Sequence, residues 1–178
     1  MVIDDIGDRR AREAALRQQA LHDPLTGLAN RVLFDDRLRH ALGRGRREGT
    51  GTCVLMIDLD DFKSVNDGFG HAVGDEVLTA LVSRLRSVLR ESDTAARLGG
   101  DEFAVICESS DLGQARALVE RLQASLAEPL PLSDGSVAVG VSVGIGCVRE
   151  SIDSSTGVAQ LIRGADRRMY EQKRHRSR

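Results

Sequence analysis

The stretch Ala95-Ala96-Arg97-Leu98-Gly99-Gly100-Asp101-Glu102-Phe103-Ala104-Val105-Ile106-Cys107 decides the fold. Two short apolar runs, 95–98 and 103–107, flank a Gly-Gly pair. Paired glycines between apolar runs signal a β-hairpin, because tight hairpin turns need positive φ. The turn also presents two adjacent carboxylates, Asp101 and Glu102, on rigid strands. Glycine lets a bulky ligand approach the backbone closely. Taken alone, the same turn also fits a plain hairpin with a solvated acidic tip.

Upstream, the apolar residues Val77, Leu78, Leu81, Val82, Leu85, Val88 and Leu89 recur at helical spacing, which predicts a helix over 75–90. Residues 64–74 hold three glycines and an Asn-Asp pair and predict a broken helix. Before them, 52–57 is a compact apolar run of strand length that ends at Asp58, Asp60 and Asp61. Residues 43–51 read as a basic, glycine-containing loop. Asn30 is the expected N-cap of a helix carrying Leu33, Phe34, Leu38, Ala41 and Leu42. Residues 8–22 have helix-forming composition but few large apolar positions, so they predict a linker helix ahead of a domain spanning 23–178.

Downstream, 111–127 predicts a helix ended by Pro129 and Pro131. Residues 137–148 predict a long strand, and 157–173 a last helix followed by a basic tail. Helix, strand, helix, hairpin, helix, strand, helix predicts an α/β (α+β) layer with helices packed on an antiparallel sheet.

Composition narrows the function. Aromatics are 3% of the 178 residues, too few for a base-stacking platform, and the net charge of -2 supplies no basic field for a nucleic-acid backbone. No run of about 18 apolar residues exists to enter a membrane. Cys53, Cys107 and Cys147 are far apart and odd in number, and each lies in an apolar run. They read as buried, reduced thiols of a cytoplasmic protein.

The acidic groups carry the chemistry. Alternation along a strand puts Asp58 and Asp60 on one face, with Leu59 on the other. A carboxylate at a strand end beside a second at a hairpin tip is how oxygen ligands gather a hard cation. Mg²⁺ takes one or two carboxylates and completes its shell with substrate phosphates. Lys63, just beyond, is placed to meet charge on a transferring phosphate. Asn66, His71 and Asp75 surround a glycine-rich turn, where Asn and Asp side chains suit the N–H donors of guanine. Each also fits simple turn or cap chemistry.

Six segments in register resemble the GGDEF family of diguanylate cyclases over about 21–173. They are Asp23-Pro24-Leu25-Thr26-Gly27-Leu28-Ala29-Asn30-Arg31; Asp58-Leu59-Asp60-Asp61-Phe62-Lys63; and Asn66-Asp67-Gly68-Phe69-Gly70-His71 with Gly74-Asp75. The others are Arg97-Leu98-Gly99-Gly100-Asp101-Glu102-Phe103; Val141-Ser142-Val143-Gly144; and Ala165-Asp166 with Met169-Tyr170 and Lys173. The resemblance implies a palm-like, nucleotidyl-cyclase fold around a central antiparallel sheet. It implies Mg²⁺, with Mn²⁺ as a substitute, held by Asp58, the Leu59 carbonyl and Asp101. It implies GTP on Asn66, His71 and Asp75, close to Gly99 and Gly100, with Lys173 reaching the phosphates. Lys63 would stabilise the transition state, Asp101 would help deprotonate the 3′-hydroxyl, and Glu102 would support the metal site. Arg90 and Asp93, with Arg121 on the next helix, would form a product site that inhibits.

The implied activity joins two GTP into cyclic di-GMP in a homodimer, since one domain binds one GTP. The alternative is a non-catalytic module that senses GTP or cyclic di-GMP. Ile3-Asp4-Asp5-Ile6 ahead of Arg9-Arg10 resembles the tail of a PAS-type sensor, which implies an upstream sensory domain. Two departures stand out. Ser177 occupies the place of an expected phosphate-binding Arg, with Arg176 and Arg178 beside it. Gly140 replaces a frequent Thr, a change expected to matter little.

Overall fold

The computed structural model describes residues 16, 18–133, 135–148 and 154–176. The expected linker helix (but for its last residues), the sensor-like piece and the residue at 177 lie outside the described residues. Residues 18–21 are helical and lead into the domain.

The elements in order are α1 (Arg31–Glu48), β1 (Thr52–Leu59), α2 (Phe62–Phe69), α3 (His71–Val88), β2 (Thr94–Gly99) and β3 (Glu102–Cys107). They continue with α4 (Leu112–Ser125), β4 (Leu130–Leu132), β5 (Gly135–Val137), β6 (Val141–Val148) and α5 (Ser154–Arg176). β2, β3, β1 and β6 form one antiparallel sheet in that order. This is the expected α/β architecture with an antiparallel sheet flanked by helices.

Alternation along β1 splits the core. Cys53, Leu55, Ile57 and Leu59 face a cluster built with Val77, Leu78, Leu81 and Leu85 of α3 and Leu118 and Leu122 of α4. Val54 and Met56 face Phe34, Leu38 and Ala41 of α1 and Leu161 and Ala165 of α5. All eight residues of β1 are buried. The strand is therefore the rigid middle of the molecule, and its last carboxylate is held in place by both neighbours.

Several boundaries differ from the sequence reading. The helix at 31 continues through 43–48, where a loop was expected. Gly45 is buried, and a side chain there would strike the Thr50 carbonyl at 2.7 Å, so glycine at this place serves packing. Asn30 does cap this helix, accepting from the Leu33 amide. α3 begins at His71 rather than 75, after a break at Gly70. The single strand expected over 137–148 is two, β5 and β6. β5 pairs with β4 in a small hairpin that the prolines at 129 and 131 concealed.

The expectation of three reduced thiols is corrected. Cys53 and Cys147 lie directly opposite in the β1–β6 register, with Cα atoms 4.0 Å apart, and form a disulfide. Sequence separation of 94 residues hid a contact that the register creates. Cys107 alone of the three is a free thiol, and burial pushes it up to about 12. No helix among the described residues is long and apolar enough to cross a membrane.

Candidate active site

Asp58, the next-to-last residue of β1, lies between two partners, Glu102 on β3 and Ser142 on β6. Alternation turns it to the α5 side of the sheet, where the Lys173 ammonium donates to Asp58 Oδ1. Asp58 is 8% exposed. Burial pushes its carboxyl up; the bond to Lys173 lowers it, and the carboxylates of Asp101 and Asp60 push it further up. Burial works against the Lys173 charge, but the bond to Asp58 and the fields of Asp58, Asp101 and Asp60 outweigh it and hold its pKa above the ordinary lysine value. Strand end, hairpin tip and α5 thus gather three carboxylates around one ammonium.

The hairpin tip is fixed from below. Gly100 has φ +50, which glycine adopts without strain. Leu59 N donates to the Asp101 carbonyl at 3.4 Å, so the two sequence-distant acidic segments meet through backbone. Arg97 donates to the Gly100 carbonyl from Nε at 3.0 Å and Nη2 at 2.8 Å, while its Nη1 bridges Asp23 at 3.1 and 3.2 Å. Asp23 also accepts from the amide and hydroxyl of Thr26.

The Asp23–Arg97 clamp went unassigned in the sequence, where both residues stood only inside longer motifs. One signal was present: Arg97 is a long donor side chain two residues before the Gly-Gly turn, where the strand carries a bulge. Asp23→Asn tests the clamp. Burial raises the Asp23 carboxyl, but Thr26 and Arg97 outweigh it and hold it below the ordinary range. Its contribution is therefore full above the unfolded-state pKa of about 3.9 and is lost as pH falls through the lower folded value. Urea unfolding at pH 7 is expected to show Asp23→Asn less stable by about 1–3 kcal/mol, a gap that closes in acid. A constant gap down to pH 2 sinks the assignment.

Lys63 is exposed on the first turn of α2, His71 is exposed at the start of α3, and Asp75 is exposed one turn later. Asn66 is half-buried, with its amide lying over Gly74. A side chain at Gly74 would meet Asn66 Oδ1 at 2.0 Å, so this close approach requires glycine. Asp75 lines a surface groove with Leu25, Ala72 and Thr79.

Arg90, Asp93 and Arg121 form a second cluster. The Arg90 amide donates to Asp93 Oδ2 at 3.0 Å, and Arg121 Nη2 donates to the Val88 carbonyl at 2.9 Å. The Asp93 carboxylate adds to the upward push of burial on the Cys107 thiol, and the Arg90 and Arg121 guanidiniums oppose it. Arg90 and Asp93 also line a cavity of about 350 Å³ with His22, Arg37 and Arg86. This cluster precedes β2, so it sits at the opposite end of the hairpin from Gly99–Gly100.

Two further details lay beyond sequence reasoning. Ser142 Oγ donates to Asp60 Oδ1 at 2.6 Å. A Cβ at Gly140 would lie 2.7 Å from Asp60 Oδ2, the tip of a side chain that can turn aside. Arg31 Nη2 stands 3.8 Å from Glu102 Oε2, an exposed pair that adds little.

The family described as "Diguanylate cyclase, GGDEF domain" matches residues 20–178. The chain belongs to the GGDEF diguanylate cyclase family. It is 42% identical over 179 residues to the diguanylate cyclase TpbB of Pseudomonas aeruginosa, covering 97% of this chain and 40% of that relative. It therefore spans less than half the length of that protein. The solved GGDEF domain of TpbB is 43% identical, with a TM-score of 0.80, over 86% of this chain and 89% of that one. The coiled coil and GGDEF domain of DgcB from Caulobacter crescentus, solved in complex with c-di-GMP, has a TM-score of 0.86 at 29% identity, over 97% and 91%. The GGDEF letters of the family name are Gly99 to Phe103 in this chain.

Proposed function

We propose that this GGDEF domain is an active cyclase that condenses two GTP into cyclic di-GMP, with release of two pyrophosphates. The observation that supports the reading is that strand pairing and the Leu59 N–Asp101 O bond bring Asp58 to the hairpin tip, with the Lys173 ammonium on Asp58 Oδ1. A cluster that already binds an internal cation fits a divalent one. Among the described residues, no three His, Cys, Asp or Glu side chains form a ready-made metal cage. Two carboxylates plus the Leu59 carbonyl suit Mg²⁺ or Mn²⁺, which leaves the remaining positions to phosphate oxygens.

Bound there, the metal would supply charge neutralisation at the α-phosphate. Asn66 and Asp75 hold the guanine edge, with His71 beside them. Lys63 and Lys173 carry positive charge toward the phosphates. Asp101 takes the proton of the 3′-hydroxyl, whose oxygen bonds to the α-phosphorus of the other GTP as the bond to pyrophosphate breaks. Glu102, opposite Asp58 in the β1–β3 register, would support the metal site once the cation neutralises the carboxylates. Repeating the attack closes the ring. Each domain contributes one GTP, so two copies face each other about a twofold axis. Positioning of the two substrates then supplies most of the acceleration.

Arg90, Asp93 and Arg121 would hold the product, since guanidinium forks match phosphates and guanine bidentately. The cyclase would act in the cytoplasm, coupled to an upstream sensory domain by the linker.

The test is incubation with GTP and Mg²⁺ in a dimer-forced form, with nucleotides separated by chromatography. Cyclic di-GMP is expected. Tight GTP or cyclic di-GMP binding with no product would establish a sensing module instead. In the same assay Arg90→Ala is expected to raise the inhibition constant for product by about tenfold or more, since truncating a charged contact costs about 1.5–3 kcal/mol. An unchanged constant rejects the inhibitory site.

A further inference from the structure

Glu76 follows Asp75 on α3 and binds the β4–β5 hairpin with both carboxylate oxygens. The Ser133 amide donates to Oε2 at 2.8 Å, and the Ser133 hydroxyl donates to Oε1 at 2.7 Å. The amide bond first, then the hydroxyl bond, hold the Glu76 carboxyl below the ordinary range. At neutral pH it is therefore an ionised group that only accepts. The hairpin needs such a tie. β4 and β5 are three residues each and form a two-stranded sheet of their own, apart from the four-stranded one. A lone two-stranded hairpin is marginal in water. Leu130 roots it in the core, with Leu132 and Val137 partly buried beside it. Ser133, past the end of β4, is exposed, and Glu76 is what it binds.

The tie also stands between two recesses. One is the groove that holds Asp75, of about 450 Å³. Ala72, Asp75 and Thr79 line it from α3, Leu25 from the segment before α1, and Pro131 and Leu132 from the hairpin. The other is a smaller apolar pocket of about 100 Å³ among Phe69, Val73, Ser136 and Val137. Glu76, Leu132 and Ser133 line both. The hairpin is thus a partition between them, with open space on each side, and the tie sets where it stands. The larger groove falls in the range of roughly 300–1,000 Å³ that suits small ligands, which favour apolar walls with a few placed polar groups. A flat base with apolar faces and N–H donors on one edge matches apolar walls and one carboxylate. Guanine has those donors at N1 and at its 2-amino group.

We propose that the β4–β5 hairpin is a wall of the guanine groove, and that Glu76 is the positioning residue that sets this wall through Ser133 without touching the base. The inference rests on the reading that Asp75 holds the guanine edge. Asp75 then supplies the choice of base, and the wall supplies packing on its face. Released from Glu76, the tip of the hairpin can shift toward the smaller pocket and the groove widens. Contact with the face is lost while contact with the edge remains. Affinity falls and base preference stays.

The test is binding of GTP carrying a fluorophore on its ribose, followed by anisotropy with Mg²⁺ present, using the whole chain. Unlabelled GTP and inosine triphosphate, which lacks the 2-amino group, are the competitors. Glu76→Ala is expected to weaken GTP and inosine triphosphate alike by about fivefold to tenfold, the scale of one or two lost hydrogen bonds. Ser133→Ala keeps the amide bond and should cost about threefold. Glu76→Ala should cost less in the Ser133→Ala background than alone, because the two act through one contact. Glu76→Gln accepts from the amide with its carbonyl and donates to the hydroxyl oxygen with its NH₂, so it should stay within about twofold of wild type.

A Glu76→Ala variant that binds GTP like wild type overturns the positioning role. So does a loss that Glu76→Gln shares, or a loss for GTP that spares inosine triphosphate, since either means that the carboxylate itself reads the base. Asp75→Ala is the control for the underlying reading. It should weaken GTP and erase the preference over inosine triphosphate. If wild type does not bind the labelled GTP, or Asp75→Ala binds it like wild type, the guanine lies elsewhere and both readings fall. If Asp75→Ala behaves as expected while Glu76→Ala matches wild type, only the wall falls. Thermal unfolding sets an assay temperature at which every variant is folded.

Discussion

Asp101→Ala is expected to lower cyclic di-GMP formation by about a thousandfold or more while leaving the fold intact. A factor of this size corresponds to about 4 kcal/mol of lost transition-state stabilisation, the scale on which a metal-held phosphoryl oxygen depends. The fold should survive because the side chain of Asp101 holds nothing up. Its backbone carbonyl receives the Leu59 amide, and Ala keeps that carbonyl. The turn is set by the two glycines and by the Arg97 grip on the Gly100 carbonyl, neither of which the change touches. Removing Asp101 also takes away one of the like charges that push Asp58 up, so the nucleotide-free domain should be no less stable than wild type. Loss of turnover with an unchanged melting temperature is therefore the signature of the proposed role. Turnover within tenfold of wild type rejects Asp101 as a metal ligand. A drop in melting temperature of ten degrees or more would attribute the loss to misfolding instead. Asp101→Glu, which keeps a carboxylate on a longer arm, should retain more activity than Asp101→Ala.

The contrast between what this site needs and what the sequence displayed is instructive. The hairpin was legible because its signal is local: paired glycines between apolar runs specify the turn wherever the rest of the chain goes. β1 was legible for the same reason, as an apolar run ended by acids. That Asp58 meets Asp101 was an expectation, and the β1–β3 register is what brings them together. The features that escaped all depend on tertiary approach. The bond between Lys173 and Asp58 joins residues 115 apart in the chain. The clamp from Arg97 to Asp23 spans 74. The pairing of Cys53 with Cys147 follows from strand register, which the sequence constrains only once the neighbours of β1 are known. The continuation of α1 through Gly43 and Gly45 runs against helix propensity and is decided by packing at Gly45. Asn66 and Asp75, which we propose hold the guanine, look in sequence like ordinary turn residues. The close lie of the Asn66 amide over Gly74 appears only in the structure.

Gly144→Ala should be the most damaging single-methyl change in the molecule. A Cβ at this position of β6 would stand 1.9 Å from the Ala165 carbonyl oxygen and 2.5 Å from the Met169 amide nitrogen. Both atoms are backbone of α5, so no side-chain rotation relieves the clash. Either α5 lifts from the sheet or β6 bows away from it. Movement of α5 would open the cluster around Leu161 and Ala165, and movement of β6 would strain its pairing with β1. The expected loss is about 3 kcal/mol or more in urea unfolding, the scale of severe overpacking. Gly43→Ala supplies the opposite sign. It lies inside α1, where the new methyl meets only the flexible Arg47 guanidinium at 3.8 Å, and it should stabilise by about 0.5–1 kcal/mol through helix propensity. A Gly144→Ala variant as stable as wild type would refute the tight seating of α5 on β6. The consequence for function follows from the same seating. Lys173 reaches Asp58 only because α5 lies this close to the sheet, so a variant that folds with α5 displaced should also lose cyclase activity.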